Sequence, residues 1–186
     1  DMKGGAHLAF AAFRELTRTG QTTPLPIEFL YTSDEEVGSP TSRVLIEEAA
    51  KRAKFVLVTE PARDGGKIVV ARKGVARYVL TAHGRPAHSG ARHEEGRSAI
   101  LELARQIVDL EAMTDYARGT TVNVGQIGGG TADNVVPQLA WANIDMRVAT
   151  IADADAMHLK MTSLKAYNAD VTLEVSGGLN RPPYEQ

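Results

Sequence analysis

The feature that most constrains this fold is the order of strand-like and helix-like segments in the second half of the chain. From Ala140 to Val148, small and apolar residues alternate with larger or polar ones, which is the period of a strand that buries one face. Six segments follow one another as strand, helix, strand, strand, helix and strand, at about 75–83, 97–112, 120–127, 136–149, 152–168 and 170–176. This β-α-β-β-α-β order predicts a ferredoxin-like two-layer sandwich.

The first half of the chain also alternates between helix-like and strand-like segments. Apolar residues recur at three- and four-residue steps over 3–18, which predicts an amphipathic helix. Residues 27–31 and 55–58 are short apolar runs typical of buried strands. Ser39 followed by Pro40 is typical of the start of a second helix between them. This alternation predicts an α/β fold with a mainly parallel sheet.

Composition and charge exclude several functional classes. With 21 Lys plus Arg against 23 Asp plus Glu, the net charge of −2 gives no electrostatic reason to expect a nucleic acid or an anionic membrane as partner. The chain has no Cys, so any metal must be held by His, Asp or Glu. It has no apolar run of membrane-spanning length and no signal-peptide pattern at its first residues. A soluble protein with a small polar ligand is expected, in either the cytoplasm or the periplasm.

Acidic residues follow both predicted strands of the first half. Glu35 and Glu36, with Asp34 before them, come after the first strand, and Glu60 comes after the second. Adjacent carboxylates repel each other unless something positive lies among them, and a divalent cation would remove that cost. The carboxyl ends of parallel strands meet at one edge of a sheet, where Asp1 at the head of the first helix would add another carboxylate. The alternative interpretation is a solvated acidic loop.

Three histidines lie close together in the sequence. His88 is in a loop of small residues, so its imidazole is expected to be accessible, although a loop His is more often exposed than catalytic. His83 and His93 lie nearby, and a three-His metal site is conceivable. Their five-residue spacings suit neither one helix face nor one strand face, which disfavours that site.

Asn134 and Arg147 are candidates for substrate binding. Asn134 follows a run of three glycines and supplies an amide donor, and Arg147 is expected on the open face of the sheet. A guanidinium can bind a carboxylate through two parallel hydrogen bonds. The alternative for Arg147 is a surface ion pair with Asp145 or another neighbour.

Six motifs together resemble the di-zinc family that contains glutamate carboxypeptidase, acetylornithine deacetylase, succinyl-diaminopimelate desuccinylase and aminoacylase. They occur in the family's order and extend over nearly the whole chain, so the resemblance does not depend on any single short motif. In sequence order they are Asp1-Met2-Lys3-Gly4-Gly5, residues 32–39 (Thr-Ser-Asp-Glu-Glu-Val-Gly-Ser), Thr59-Glu60-Pro61, Ala87-His88-Ser89-Gly90, Asn134-Val135-Val136-Pro137 and Asp145-Met146-Arg147.

The resemblance implies two zinc ions in each intact subunit, with other divalent metals such as Co²⁺ as an alternative. By that resemblance Asp1 bridges the two ions, Glu36 is a terminal ligand of one and Glu60 a terminal ligand of the other. Glu35 is the implied general base, which takes a proton from water and passes it to the leaving nitrogen.

The resemblance also implies a division into domains and a homodimer. Residues 1–72 would form part of the di-zinc catalytic domain, 73–178 a lid and dimerisation domain, and 179–186 the return to the catalytic domain. Through the lid, His88 of one subunit would reach the active site of the other and stabilise the oxyanion. Asn134 would assist there, and Arg147 would hold the carboxylate of the substrate.

Two elements of the family pattern do not occur in this sequence. The family has a His-x-Asp motif upstream of the bridging Asp and a last His ligand well downstream, so an internal piece of a longer protein is expected. Alone, this chain is expected to bind zinc weakly and to be inactive. The implied activity of the intact protein is hydrolysis of an amide bond in N-acyl amino acids or dipeptides with a free carboxylate. Deacetylase, desuccinylase and non-catalytic binding or dimerisation functions remain as alternatives.

Overall fold

The computed structural model describes residues 2–61 and 64–185 of the chain. Its contacts divide the chain into two compact units, Asp1–Ile68 and Val69–Gln186. The proposed metal ligand Asp1 lies outside the described residues. In the described part of the chain, no helix has both the length and the apolar character that crossing a membrane requires.

The first unit contains two α-helices, α1 at Met2–Arg18 and α2 at Arg43–Arg52, with a short 3-10 turn at Glu35–Val37. The amphipathic pattern of α1 places aromatic residues against the segment that follows it. The ring of Phe13 meets that of Phe29 edge-on, with centroids 5.7 Å apart, and Phe29 stacks on Tyr31 at 6.4 Å. These contacts fix the 27–31 segment on α1.

The strands predicted at 27–31 and 55–58 are not strands in the structure. Both segments lack regular secondary structure, and neither pairs with another strand within the described residues. Leu57 is 88% exposed, so the second segment does not have the half-buried surface that the apolar run predicted. An apolar run favours a strand only where a neighbouring strand supplies hydrogen bonds and packing. The first unit therefore presents helices and extended chain in place of the predicted parallel sheet.

The predicted start of the second helix at Ser39 is also wrong, because α2 begins at Arg43 with Ser42 as its N-cap residue. Ser39 has a φ of 56°, a left-handed conformation, and its N–H donates to the carbonyl of Asp34. The hydroxyl of Ser42 donates to the Asp34 carboxylate and not to the amides of α2. Asp34 therefore delays the helix by three residues, because it holds the intervening loop in a turn.

The second unit begins and ends with paired segments, β1 at Ala71–Arg72 and β6 at Tyr184–Glu185. Between them lie the six elements of the predicted sandwich: β2 at Gly74–His83, α3 at Ala99–Glu111, β3 at Thr121–Gly129, β4 at Leu139–Val148, α4 at Ile151–Thr162 and β5 at Thr172–Arg181. The four long strands form one antiparallel sheet in the order β3-β4-β2-β5. This order confirms the ferredoxin-like α/β sandwich.

The core of the second unit lies between this sheet and its two helices. The residues predicted to face the helices from β4 are all buried: Ala140, Ala142, Ile144, Met146 and Val148. Ser98 and Thr150 cap α3 and α4, because their hydroxyls accept the N–H of Leu101 and Asp153.

The predicted helix at 152–168 is too long by six residues, since α4 ends at Thr162. Side chains of α3 hold the segment that follows α4 in a non-helical conformation. Gln106 donates to the carbonyl of Lys165 at 2.9 Å, and the Glu102 carboxylate accepts the N–H groups of Tyr167 and Asn168 at 2.9 and 3.0 Å. These long-range bonds replace the helical bonds that the local sequence predicted.

Candidate functional site

The acidic motif of the first unit is organised around Asp34. Its carboxylate accepts hydrogen bonds from the backbone N–H and the hydroxyl of both Thr41 and Ser42. The Ser42 hydroxyl bond, followed by the bonds from Thr41, holds the pKa of Asp34 well below its usual range. Asp34 therefore anchors the loop, and the exposed carboxylates of Glu35 and Glu36 follow it on the 3-10 turn.

The segment that carries Glu60 lies against the first helix. A Cβ atom added to Gly5 of α1 would come within 1.9 Å of the carbonyl oxygen of Thr59, so only glycine allows this approach. The structure thus brings together two of the motifs on which the zinc site was predicted. Glu60 itself is exposed beside that contact.

The carboxylates of the first unit suit zinc by donor type but do not complete a metal centre. Among residues 2–61 and 64–185, no three His, Asp or Glu side chains are grouped closely enough to hold an ion. Glu35, Glu36 and Glu60 therefore do not form a zinc site by themselves, and the conceivable site of His83, His88 and His93 is not formed either. His83 instead lies 3.5 Å from a carboxylate oxygen of Glu174.

His88 lies in a closed loop of the second unit, residues 85–97, which we call the His88 loop. Its Nδ1 accepts hydrogen bonds from the N–H groups of Gly90 and Ala91, both at 3.2 Å. A neutral imidazole that accepts at Nδ1 carries its proton on Nε2. The exposed ring of His88 therefore presents Nε2–H as a hydrogen-bond donor.

Asn134 lies directly beside the His88 loop. The N–H of Ser89 donates to the carbonyl of Asn134 at 2.9 Å, and the N–H of Val136 donates to the carbonyl of Ala87 at 2.9 Å. These bonds form an isolated antiparallel bridge between His88 and Val135. Two predicted site residues, 46 positions apart in the numbering, are thus neighbours in the fold.

Arg147 lies at the other end of the sheet from this pair. Arg147 lies eight positions along β4 from Leu139, a distance of about 27 Å at the rise of an antiparallel strand, and Leu139 pairs with His83 at the end of β2 that leads into the His88 loop. Its guanidinium forms two hydrogen bonds with the carboxylate of Asp145, at 2.7 and 3.1 Å. Within a single copy of the second unit, Arg147 therefore cannot contact the same small ligand as His88. Its observed partner is Asp145, as the alternative interpretation of the sequence expected.

A shallow cleft on the open face of the sheet was not predicted from the sequence. It has a volume of about 470 Å³ and lies where Gly125 bulges from β3. Its polar side chains come from Arg77, Gln126, Asn143 and Asp145, and Asn143 donates to Gln126 at 2.9 Å. A bulge depends on the pairing of two strands, so Gly125 alone was not enough to predict the bulge or the cleft beside it.

Comparison with known proteins assigns the family. The model of the M20 peptidase dimerisation domain matches residues 70–170. The chain belongs to the M20 metallopeptidase family. The match covers the β-α-β-β-α sequence of elements and the segments that bring His88 and Asn134 together.

Relatives also match outside this domain. The chain is 31% identical to carboxypeptidase G2 of Pseudomonas sp. strain RS-16, over 99% of this chain and 45% of that protein. A probable carboxypeptidase of Arthroderma benhamiae is 29% identical over 85% of this chain and 38% of its own length. The chain therefore spans less than half the length of these curated relatives.

Solved structures support the same assignment. The aminopeptidase PepT of Bacillus cereus aligns over 100% of this chain and 50% of its own, with a TM-score of 0.79 and 26% identity. The aminobenzoyl-glutamate utilization protein of Klebsiella pneumoniae aligns over 60% of this chain and 30% of its own, with a TM-score of 0.51 and 26% identity. The PepT alignment covers both units, and the fold class of the chain is α/β, with the described strands in the second unit.

Proposed function

We propose that the whole protein is a zinc-dependent amidohydrolase that cleaves N-acyl amino acids or dipeptides with a free carboxylate, as glutamate carboxypeptidases do. The observation that carries this proposal is the juxtaposition of His88, with its exposed Nε2–H, and Asn134. Hydrogen-bond donors at such a position can stabilise the oxyanion that forms when an amide carbonyl is attacked. The alignment with carboxypeptidase G2, which spans 99% of this chain and 45% of that protein, favours a carboxypeptidase over the other activities.

The carboxylates of the first unit would serve the same reaction. We assign Asp1, Glu36 and Glu60 as zinc ligands and Glu35 as the general base that accepts the proton of the attacking water. Zinc, when bound, lowers the pKa of a bound water and polarises the carbonyl. The remaining ligands would be imidazoles from parts of the whole protein beyond these 186 residues, because this sequence has no His-x-Asp motif.

We assign residues 1–72 to the catalytic domain, 73–178 to the lid and 179–186 to the return segment. The lid would form a homodimer, which the family description of a dimerisation domain supports. An outer surface near α3 and β3 suits a second copy of the chain, because β3 is an edge strand and the apolar Leu101 and Val108 are exposed on the helix beside it.

A second candidate function is a binding or dimerisation protein that keeps the scaffold without catalysis. It is favoured by one observation: the family model that matches this chain, at residues 70–170, is that of a dimerisation domain. Zinc content of the whole protein separates the two candidates, since the enzyme requires tightly held zinc and the binding protein does not.

The substrate class is tested by assaying the zinc-loaded whole protein against N-acyl glutamates, other N-acyl amino acids and dipeptides. Each substrate is paired with its C-terminal amide, which lacks the free carboxylate. The proposal expects hydrolysis of the acids and little of the amides. Equal rates on both would contradict carboxylate recognition, and exclusive activity on acetyl or succinyl substrates would favour a deacetylase or a desuccinylase.

A further inference from the structure

We propose that Arg97 and Asp170 are positioning residues that hold the His88 loop where its imidazole can act. This inference rests on the role proposed for His88 above. Neither residue belongs to the motifs that carried the family resemblance, and they are 73 positions apart in the chain.

The two ends of the His88 loop are tied together by Arg85 and Arg97. Their backbones exchange two hydrogen bonds, at 2.9 and 2.8 Å, and Nε of Arg85 donates to the carbonyl of Glu95 at 2.7 Å. The loop also fits closely against its neighbours, because a Cβ atom on Gly96 would come within 2.7 Å of the Val136 side chain. The loop is therefore a compact unit that can be moved or held as one piece.

The side chain of Arg97 connects this loop to a segment before β5. Its Nε donates to the Asp170 carboxylate at 2.8 Å, and one terminal nitrogen donates to the carbonyls of Glu94 and Gly96 at 2.9 and 2.7 Å. Arg85 adds a weaker contact with Asp170 at 3.7 Å. One guanidinium, only 26% exposed, thus bonds three groups at once, which an unordered surface arginine would not do.

Asp170 is itself anchored to the core. Its N–H donates to the side chain of Asn168 at 3.0 Å, and the N–H of Asn168 donates to the Glu102 carboxylate at 3.0 Å. Glu102 is 2% exposed on α3 and also accepts from Gln106 at 2.9 Å. A continuous set of hydrogen bonds therefore runs from a buried helix to the loop of His88.

Loss of the ion pair between Arg97 and Asp170 should affect the position of His88 more than the stability of the fold. An ion pair with both partners partly exposed contributes little to folding. A small displacement of a catalytic group, in contrast, lowers turnover strongly, by up to about 10²-fold for a shift of ~1 Å. We therefore expect loss of the Asp170 carboxylate to change the melting temperature little and the activity more.

The test uses Asp170→Asn, alone and with His88→Ala, in the zinc-loaded whole protein. The matched control is Asp109→Asn, which neutralises the α3 carboxylate that accepts the Tyr167 hydroxyl in the same segment but does not touch the His88 loop. Asp170→Asn should lower kcat by about 10-fold and leave zinc content unchanged. In the His88→Ala background it should have no further effect. Equal losses in both backgrounds, or the same loss with Asp109→Asn, would overturn the inference.

A second readout separates this inference from the proposed function. In the 186-residue chain, Asp170→Asn should accelerate hydrogen exchange at the amides of Ser89 and Val136 by up to about 5-fold, whereas Asp109→Asn should not. If hydrogen exchange is unchanged in Asp170→Asn, Arg97 and Asp170 do not hold the His88 loop, and the inference is refuted even in an active enzyme. If exchange is accelerated but the wild-type protein is inactive, the positioning role is supported and the proposed function is rejected.

Discussion

The N–H of Gly90 donates to Nδ1 of His88 at 3.2 Å, and this bond sets which nitrogen of the ring faces solvent with a proton. The N–H of Ala91 donates to the same atom. A loop of small residues makes this possible, because its backbone can turn back on the ring that it carries. The His88 loop thus fixes the tautomer of its imidazole without any other side chain.

Replacing His88 with Ala removes this donor. If Nε2–H stabilises the oxyanion, turnover by the whole protein should fall by about 10² to 10³-fold, while zinc content stays the same. Metal analysis of the purified variant provides the control. Loss of zinc from His88→Ala would identify His88 as a ligand and contradict the role given to it.

Replacing Asp34 with Asn tests the anchor of the acidic motif. The hydrogen bonds to Asp34 lower its pKa in the folded state, so its contribution to stability is present above the unfolded value near 3.8 and is lost as the pH falls through the folded value. Melting temperatures across this range should show the largest destabilisation of Asp34→Asn at neutral pH, with the difference from wild type shrinking in acid. Glu35→Gln, whose side chain does not share these bonds, is the control. A difference that grows below pH 4 would reverse the predicted sign.

Two adjacent glycines of α1 form a matched pair. Ala at position 5 would place Cβ 1.9 Å from the carbonyl of Thr59, whereas Ala at position 4 meets nothing within 4 Å. Gly5→Ala should therefore lower the free energy of unfolding by about 1–3 kcal/mol through steric conflict. Gly4→Ala should leave it unchanged or raise it by up to about 1 kcal/mol, because Ala favours helix. Urea denaturation measures both, and equal effects would show that the helix does not approach Thr59.

The proposed dimer surface is tested at two apolar residues of nearly equal exposure. Val108 on α3 is 69% exposed beside the edge strand β3, and Leu159 on α4 is 68% exposed beside β5 at the opposite edge. Val108→Asp should convert the dimer to a monomer in sedimentation velocity, because it places a charge in an apolar interface. Leu159→Asp should not. Dissociation by Leu159→Asp alone would move the interface to the other edge.

Much of the second unit could be predicted from local sequence. The two-residue period of β4 gave the correct buried face, and the predicted helix starts near 97 and 152 lie within two residues of the observed starts at Ala99 and Ile151. The early end of α4 could not be predicted, because Glu102 holds the residues after it from a separate helix. Contacts between residues so far apart in the sequence produce no pattern within either segment.

The candidate site was predictable only in part, for the same reason. The small residues around His88 correctly indicated an exposed ring, whereas only the family resemblance, and no local pattern, associated His88 with Asn134. The hydrogen bond between Arg97 and Asp170 joins residues 73 positions apart, and neither segment contains a sequence pattern that predicts it. The predicted strands of the first unit were wrong because strand pairing depends on a neighbour that the run itself cannot specify.

The most direct test of the central claim is a paired measurement of zinc content and hydrolysis of an N-acyl amino acid by the whole protein. The comparison is between wild type, Glu35→Gln and Glu48→Gln, an exposed acid of α2 outside the proposed site. We predict that all three retain zinc, and that only Glu35→Gln loses turnover, by at least about 10²-fold, because it removes the general base. Full activity in Glu35→Gln, or wild-type hydrolysis that survives removal of the metal by a chelator, would contradict the account.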